Sequence, residues 1–184
     1  FIMKIRKEYD SIGSLNVPEN AYYGVQSLRA SKNFSITNKR LHPKFIISLA
    51  EIKKACAITN RNASLLDSSL VTAIINACDE IISGKLHDEF IVDAIQGGAG
   101  TSSNMNANEV IANRAIELLG GCKGDYSIIH PNDHVNMAQS TNDVFPTAGK
   151  LTVLKLLPDA INELQRLYNA LELKSLEFNN IIKM

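Results

Sequence analysis

The 184-residue sequence has no tryptophan, and only 6% of its residues are aromatic. That scarcity disfavours a ring-packed β-sandwich core and fits a helical core of Leu, Ile and Ala. Cysteine is also scarce: Cys56, Cys78 and Cys122 lie far apart and are odd in number. They draw neither a disulfide framework nor a CxxC metal spacing, so a reducing, cytoplasmic setting is expected. An excess charge of either sign is missing too, since 19 Lys+Arg balance 19 Asp+Glu. Nucleic-acid binders and proteins recruited by a polybasic patch need a basic excess, so neither nucleic acid nor membrane is expected as a partner. No run approaches the roughly 20 apolar residues of a membrane span. The opening Phe1-Ile2-Met3-Lys4-Ile5-Arg6-Lys7-Glu8 turns charged too soon for a signal peptide, with Met3 expected as the true start. What remains is a globular composition, 45% hydrophobic and 21% charged.

Between Met3 and Phe34 the chain is rich in turn residues and its apolar positions keep no helical period. Short strands and loops are expected there, with one short helix near Gln26–Lys32. Helices take over after Pro43, which suits a first helical turn. Phe45, Ile46, Leu49, Ile52, Lys53 and Cys56 form one stripe at helical spacing. Asp67-Ser68-Ser69 offers a cap for a second helix, whose face runs Leu70, Ala73, Ile74, Ala77, Cys78 and Ile81 and which stops at Ser83-Gly84. Lys85 to Ser103 shows little period. A third helix is expected over Asn104–Leu119, stopped by Gly120-Gly121, then a loop over Cys122–Gln139.

From Asn142 to Lys183 only Pro146 and Pro158 interrupt a helical pattern. Roughly forty residues would make a helix about 60 Å long, against a diameter of about 40 Å for a compact chain of this size. Its apolar residues, from Leu151 and Leu154 through Leu171, Leu176 and Phe178, are too many for one narrow stripe. A helix of that kind wants neighbours on several sides. The expected fold is mainly α: a small N-terminal domain over 1–139 with short strands and several helices, then, over 140–184, the first long helix of a central helical bundle.

Two stretches could carry chemistry. Gly97-Gly98-Ala99-Gly100-Thr101-Ser102-Ser103-Asn104 sets flexible backbone and short polar side chains at a helix start. No Lys follows the glycines, so it is not a P-loop, and it is not GxGxxG. Gln139-Ser140-Thr141-Asn142-Asp143 repeats the theme before the long helix. Alone, either reads as an ordinary helix cap. Together, two helix starts rich in Ser, Thr and Asn suit a small dicarboxylate, whose oxygens accept several hydrogen bonds. His130-Pro131-Asn132-Asp133-His134 pairs two histidines four apart, but a third metal ligand at suitable spacing is missing, as are HExxH and GxSxG.

These segments together resemble the aspartase/fumarase superfamily along essentially the whole chain. Asp10, with Pro18 and Ala21-Tyr22-Tyr23-Gly24-Val25-Gln26-Ser27-Leu28-Arg29-Ala30, is similar to the family's N-terminal signature. Gly97 through Glu109 is similar to its first active-site region, and His130-Pro131-Asn132-Asp133-His134-Val135-Asn136 with Gln139–Asp143 to the loop entering the central bundle. Gly97-Gly98-Ala99-Gly100-Thr101 and Ser140-Thr141-Asn142 resemble the aspartase versions of these loops rather than the fumarase ones. The HPND stretch is shared with fumarases, where it forms a secondary dicarboxylate site.

The resemblance implies an ammonia-lyase that converts L-aspartate to fumarate and ammonia by anti-elimination through an aci-carboxylate, with no organic cofactor. Some members imply activation by a divalent metal. Thr101, Ser140, Thr141 and Asn142 are then the substrate-binding candidates, with Gly100, Ser102 and Asn104 as secondary ones and Arg29 as a cation nearby. Family sites combine residues of three subunits of a homotetramer, and the general base is a serine on a glycine- and serine-rich loop expected downstream of Met184. The chain is therefore expected to be an N-terminal portion, inactive alone. The rival expectations are a portion of a class II fumarase and a non-catalytic helical assembly module.

Overall fold

The computed structural model describes residues 4–182; the expectations resting on Phe1–Met3 and Lys183–Met184 lie outside them. The turn-rich start forms a hairpin. Strands β1 (Ile5–Asp10) and β2 (Gly13–Pro18) pair antiparallel from Ile5 opposite Pro18 to Asp10 opposite Gly13. The Asp10 carboxylate holds the turn by accepting the N–H groups of Ile12 and Gly13, both at 3.0 Å.

Helix α1 (Val25–Asn33) follows, one residue longer at each end than its expected span. Its cap is not local. Glu8 of β1 accepts the Val25 N–H at 2.8 Å, and Glu109 accepts those of Gly24, Gln26 and Ser27 at 2.9, 2.9 and 3.0 Å. Two buried carboxylates thus satisfy the orphan donors of one helix start.

Helices α2 (Pro43–Asn62) and α3 (Ser68–Ile82) pack together, α3 under the cap the sequence offers and α2 under one it does not announce. His42 Nδ1 accepts the Lys44 N–H at 3.1 Å, and Asp67 the Ser69 N–H at 2.8 Å. Leu49, Ala50, Val71, Ile74, Ala77, Cys78 and Ile81 form the core between them and α4.

Helix α4 (Thr101–Leu118) starts three residues earlier than expected. The Gln96 side chain accepts the Ser103 N–H at 2.9 Å and donates to its hydroxyl at 2.6 Å. The cap therefore comes from upstream, and Thr101, Ser102 and Ser103 form the first helical turn instead of the flank. Every residue from Ser103 to Asn113 is buried, polar ones included. Asn106 donates to Glu89 O at 3.0 Å, and Asn113 donates to Tyr22 O at 2.9 Å and accepts from Gly124 N at 2.7 Å. Buried amides along α4 thus fasten non-helical segments to the core, which explains why its sequence shows no simple apolar stripe. The helix stops as expected: Gly120, at φ 82°, donates to Glu117 O at 2.9 Å, and Gly121 to Ile116 O at 3.0 Å.

The segments without helical period carry a 3₁₀ turn at His87–Glu89 and a π-helical turn at Pro131–Val135. Helix α5 (Thr141–Glu177) runs 37 residues, about 55 Å at 1.5 Å per residue, without interruption at Pro146 or Pro158. Val144, Ala148 and Thr152, four apart, are its buried positions and face α2, where Thr152 Oγ1 reaches Ser48 Oγ at 3.2 Å. Lys155 pairs with Glu51, and beyond it the helix stands free of the body. No helix among the described residues is long and apolar enough to cross a membrane.

Candidate active site

The two polar helix starts meet. Gly100 stands just before α4 at φ 88°, and a Cβ there would lie 2.4 Å from the Phe145 ring, one turn into α5. Only glycine allows both that left-handed backbone and that approach. Behind this contact, Asn104 Nδ2 donates to Thr141 Oγ1 at 3.0 Å and to Asn136 Oδ1 at 3.1 Å. The seam between α4 and α5 is therefore apolar at Gly100–Phe145 and hydrogen-bonded at Asn104–Thr141.

Asn142, Gly98, Gly100, Phe145 and Pro146 line a groove of about 450 Å³ over this seam. Ser140 is the N-cap of α5: its hydroxyl accepts the Asn142 N–H at 3.2 Å. Thr101 is exposed on the first turn of α4, and Thr141 is half-buried on that of α5. By helix geometry the N–H groups of Thr101, Ser102 and Thr141 have no intrahelical acceptor. A carboxylate at this junction would meet hydroxyls, amides and the positive ends of two helix dipoles.

The sequence candidates are thus divided. Gly100, Asn104, Thr141 and Asn142 converge on the seam, with Ser140 capping and Thr101 beside it. Ser102 instead lines a second groove of about 500 Å³ with Gln26, Arg29, His130 and Asn132. Arg29 is not free there, because Asp10 takes its guanidinium at 2.9 and 3.0 Å. The same pairing holds the Asp10 carboxyl below the usual carboxylate range.

The histidines of the HPND stretch serve the backbone. His130 Nδ1 accepts from Asn132 and Asp133 N–H, both at 3.2 Å, and His134 Nδ1 accepts the His130 N–H at 2.9 Å. Among the described residues no three His, Cys, Asp or Glu side chains converge as a metal site would need. These residues therefore do not fit a bound metal.

Sequence reasoning placed Lys53 in an apolar stripe and gave it no role. The structure buries it completely and sets its ammonium 2.7 Å from Asn136 Oδ1 and 2.9 Å from Gln139 Oε1. A lysine inside an apolar stripe was the available signal. Desolvation pushes this group down to about 7, partly offset by Cys56 and Cys78. Phe145, which closes the seam, carried no signal in the sequence.

Comparison with known proteins bears on this geometry. The profile of a family described as "Lyase" matches residues 13–184. An aspartate ammonia-lyase of Bacillus sp is 53% identical over 180 residues, 98% of this chain and 38% of that protein. Among solved structures, a fumarate lyase:delta crystallin from Brucella melitensis superposes with a TM-score of 0.93 at 51% identity, covering 98% of this chain and 43% of that one. A class II fumarase from Schistosoma mansoni gives a TM-score of 0.89 at 39% identity, covering 98% and 38%. The chain thus spans about two fifths of the length of these relatives.

Proposed function

The chain belongs to this lyase family, within the aspartase/fumarase superfamily, and on that premise we propose that the complete protein deaminates L-aspartate to fumarate and ammonia. The observation that carries the reading is the hydrogen-bonded junction of α4 and α5, where Asn104 meets Thr141 beside the Gly97–Thr101 loop. In an anti-elimination, loss of a Cβ proton loads a second negative charge onto one substrate carboxylate. Preorganised neutral donors lower the energy of that aci-carboxylate without first having to reorganise. Thr101, Ser140, Thr141 and Asn142 are the proposed donors to the carboxylates and amino group, with Gly100 keeping the seam narrow and Asn104 aligning Thr141.

In this reading the general base is the family serine expected downstream of Met184, brought to the site in a homotetramer. The isolated chain should then form no fumarate from L-aspartate, and sustained turnover by it would overturn that division of labour. The exposed apolar second half of α5 supports an assembling helix. The domain division at residue 139/140 belongs to the same proposal.

The fumarase alternative is weighed by identity: 53% to the Bacillus ammonia-lyase against 39% to the Schistosoma fumarase. Incubating the complete gene product with L-aspartate and, separately, with L-malate decides between them through the ultraviolet absorbance of fumarate. Fumarate from aspartate alone is expected. Fumarate from malate alone would make the protein a hydratase.

A further inference from the structure

Lys53 is a fully buried cation whose direct partners are two neutral amides. The titratable groups facing it are the thiols of Cys56 on its own helix and Cys78 on α3. Taking an ammonium out of water without a carboxylate beside it costs several kcal/mol, so packing alone does not account for it. Its position suggests what it does. While protonated, below about 7, this group can only donate hydrogen bonds, whereas an Asn side chain can present either its oxygen or its NH₂.

The consequence passes along a chain of four side chains. Because Lys53 donates at 2.7 Å, Asn136 must turn Oδ1 toward it, and its Nδ2 turns to Gln139 O at 3.3 Å. That same Oδ1 takes a second donor, so Asn104 must present Nδ2, at 3.1 Å. The other hydrogen of Asn104 Nδ2 then goes to Thr141 Oγ1 at 3.0 Å. With Oγ1 accepting from Asn104, the Thr141 hydroxyl hydrogen is left free. Reversing Asn104 would set its oxygen against Asn136 Oδ1. The arrangement has a visible cost: Asn104 Oδ1 is buried without a hydrogen-bond partner among the described residues.

We propose that Lys53 is a positioning residue of the dicarboxylate site, fixing the donor–acceptor sense of Asn136 and Asn104 so that Thr141 offers its hydroxyl hydrogen to a substrate carboxylate oxygen. The inference rests on the reading of the α4–α5 junction as that site. Without Lys53 the two amides are free to reverse, and Thr141 can spend its hydrogen on Asn104 instead of the ligand.

The test is a double-mutant cycle on the complete gene product, held below about pH 7 so that Lys53 is an ammonium, and titrated calorimetrically with succinate, a saturated dicarboxylate that cannot react. Thr141→Val and Lys53→Met are each expected to weaken succinate binding roughly tenfold, the size of one lost hydrogen bond. The double variant should bind no more weakly than Thr141→Val alone, because both changes remove the same bond. A merely structural lysine would weaken binding by the same factor in the Thr141→Val background, and additive losses of that kind would overturn the proposal. So would normal succinate binding by Lys53→Met beside a weakened Thr141→Val, a result that leaves the site itself standing. If the parent protein and Thr141→Val bind succinate equally, the site reading fails and takes the proposal with it. Should Lys53→Met not fold, Asn136→Leu breaks the same chain one step later and is read by the same cycle.

Discussion

Gly100 and Lys53 show how single residues define the junction. At φ 88°, with the Phe145 ring 2.4 Å from where a Cβ would stand, Gly100 meets two constraints at once. Gly100→Ala is expected to cost about 1–3 kcal/mol of stability, read by thermal unfolding. Lys53 makes its own mark on pH dependence. Burial lowers its ammonium from 10.5 to about 7, so between those values the unfolded chain binds a proton that the native chain does not. Stability attributable to Lys53 therefore rises with pH across that window and reaches its low plateau below about 7. Cys78, pushed by burial from 9.0 to about 12, acts in the opposite sense above 9.0, so the clearest measurement lies below that value. Denaturant unfolding of Lys53→Met should show a flatter rise between about 7 and 9.0 than the parent chain. An unchanged slope would mean that the buried ammonium is not the source.

At the scale of elements, the sequence pattern was a good guide wherever a helix owes its form to its own residues. The stripes of α2 and α3 and the Asp67 cap of α3 were legible, and so was the glycine stop after α4. Elements held by distant residues were not. The start of α4 was misplaced by three residues because its cap is Gln96, seven positions before Ser103. The polar character of α4 hid its place at the centre, since its Asn side chains bond to segments remote in sequence. The two carboxylates at the start of α1 belong to the same class. Replacing Glu109 by Ala strips three backbone N–H groups of their acceptor, at 2.9 to 3.0 Å in the native chain. A loss of at least about 2 kcal/mol is expected, together with faster amide exchange at Gly24–Ser27 but not in α3. The candidate site was legible in its residue types and not in its wiring. Ser140, Thr141 and Asn142 stood out as a polar helix start, whereas the link from Lys53 to Thr141 exists only once α2, α4 and α5 are assembled.

For the whole molecule, the dominant feature is a body with one helix projecting from it. Leu154 is 62% exposed, Leu164 65% and Leu171 62%, on a helix whose first three turns are anchored to α2. So extended an apolar surface is the mark of a face that associates. In the complete protein, Leu164→Lys with Leu171→Lys should shift the assembly toward smaller species in light scattering. If the sites are shared between subunits, as proposed above, aspartate turnover should fall with it, although neither substitution touches the α4–α5 junction. In the proposed function the junction and the projecting helix are two parts of one device, with α5 carrying donors at its first turn and an associating face along the rest. The most direct test of the central claim is kcat/KM for L-aspartate deamination by the complete protein and by its Asn142→Ala and Thr141→Val variants, followed through fumarate absorbance. If the junction holds the developing aci-carboxylate, the parent converts aspartate to equal amounts of fumarate and ammonia, and each variant falls by roughly a hundredfold. Undiminished turnover in both variants would contradict it.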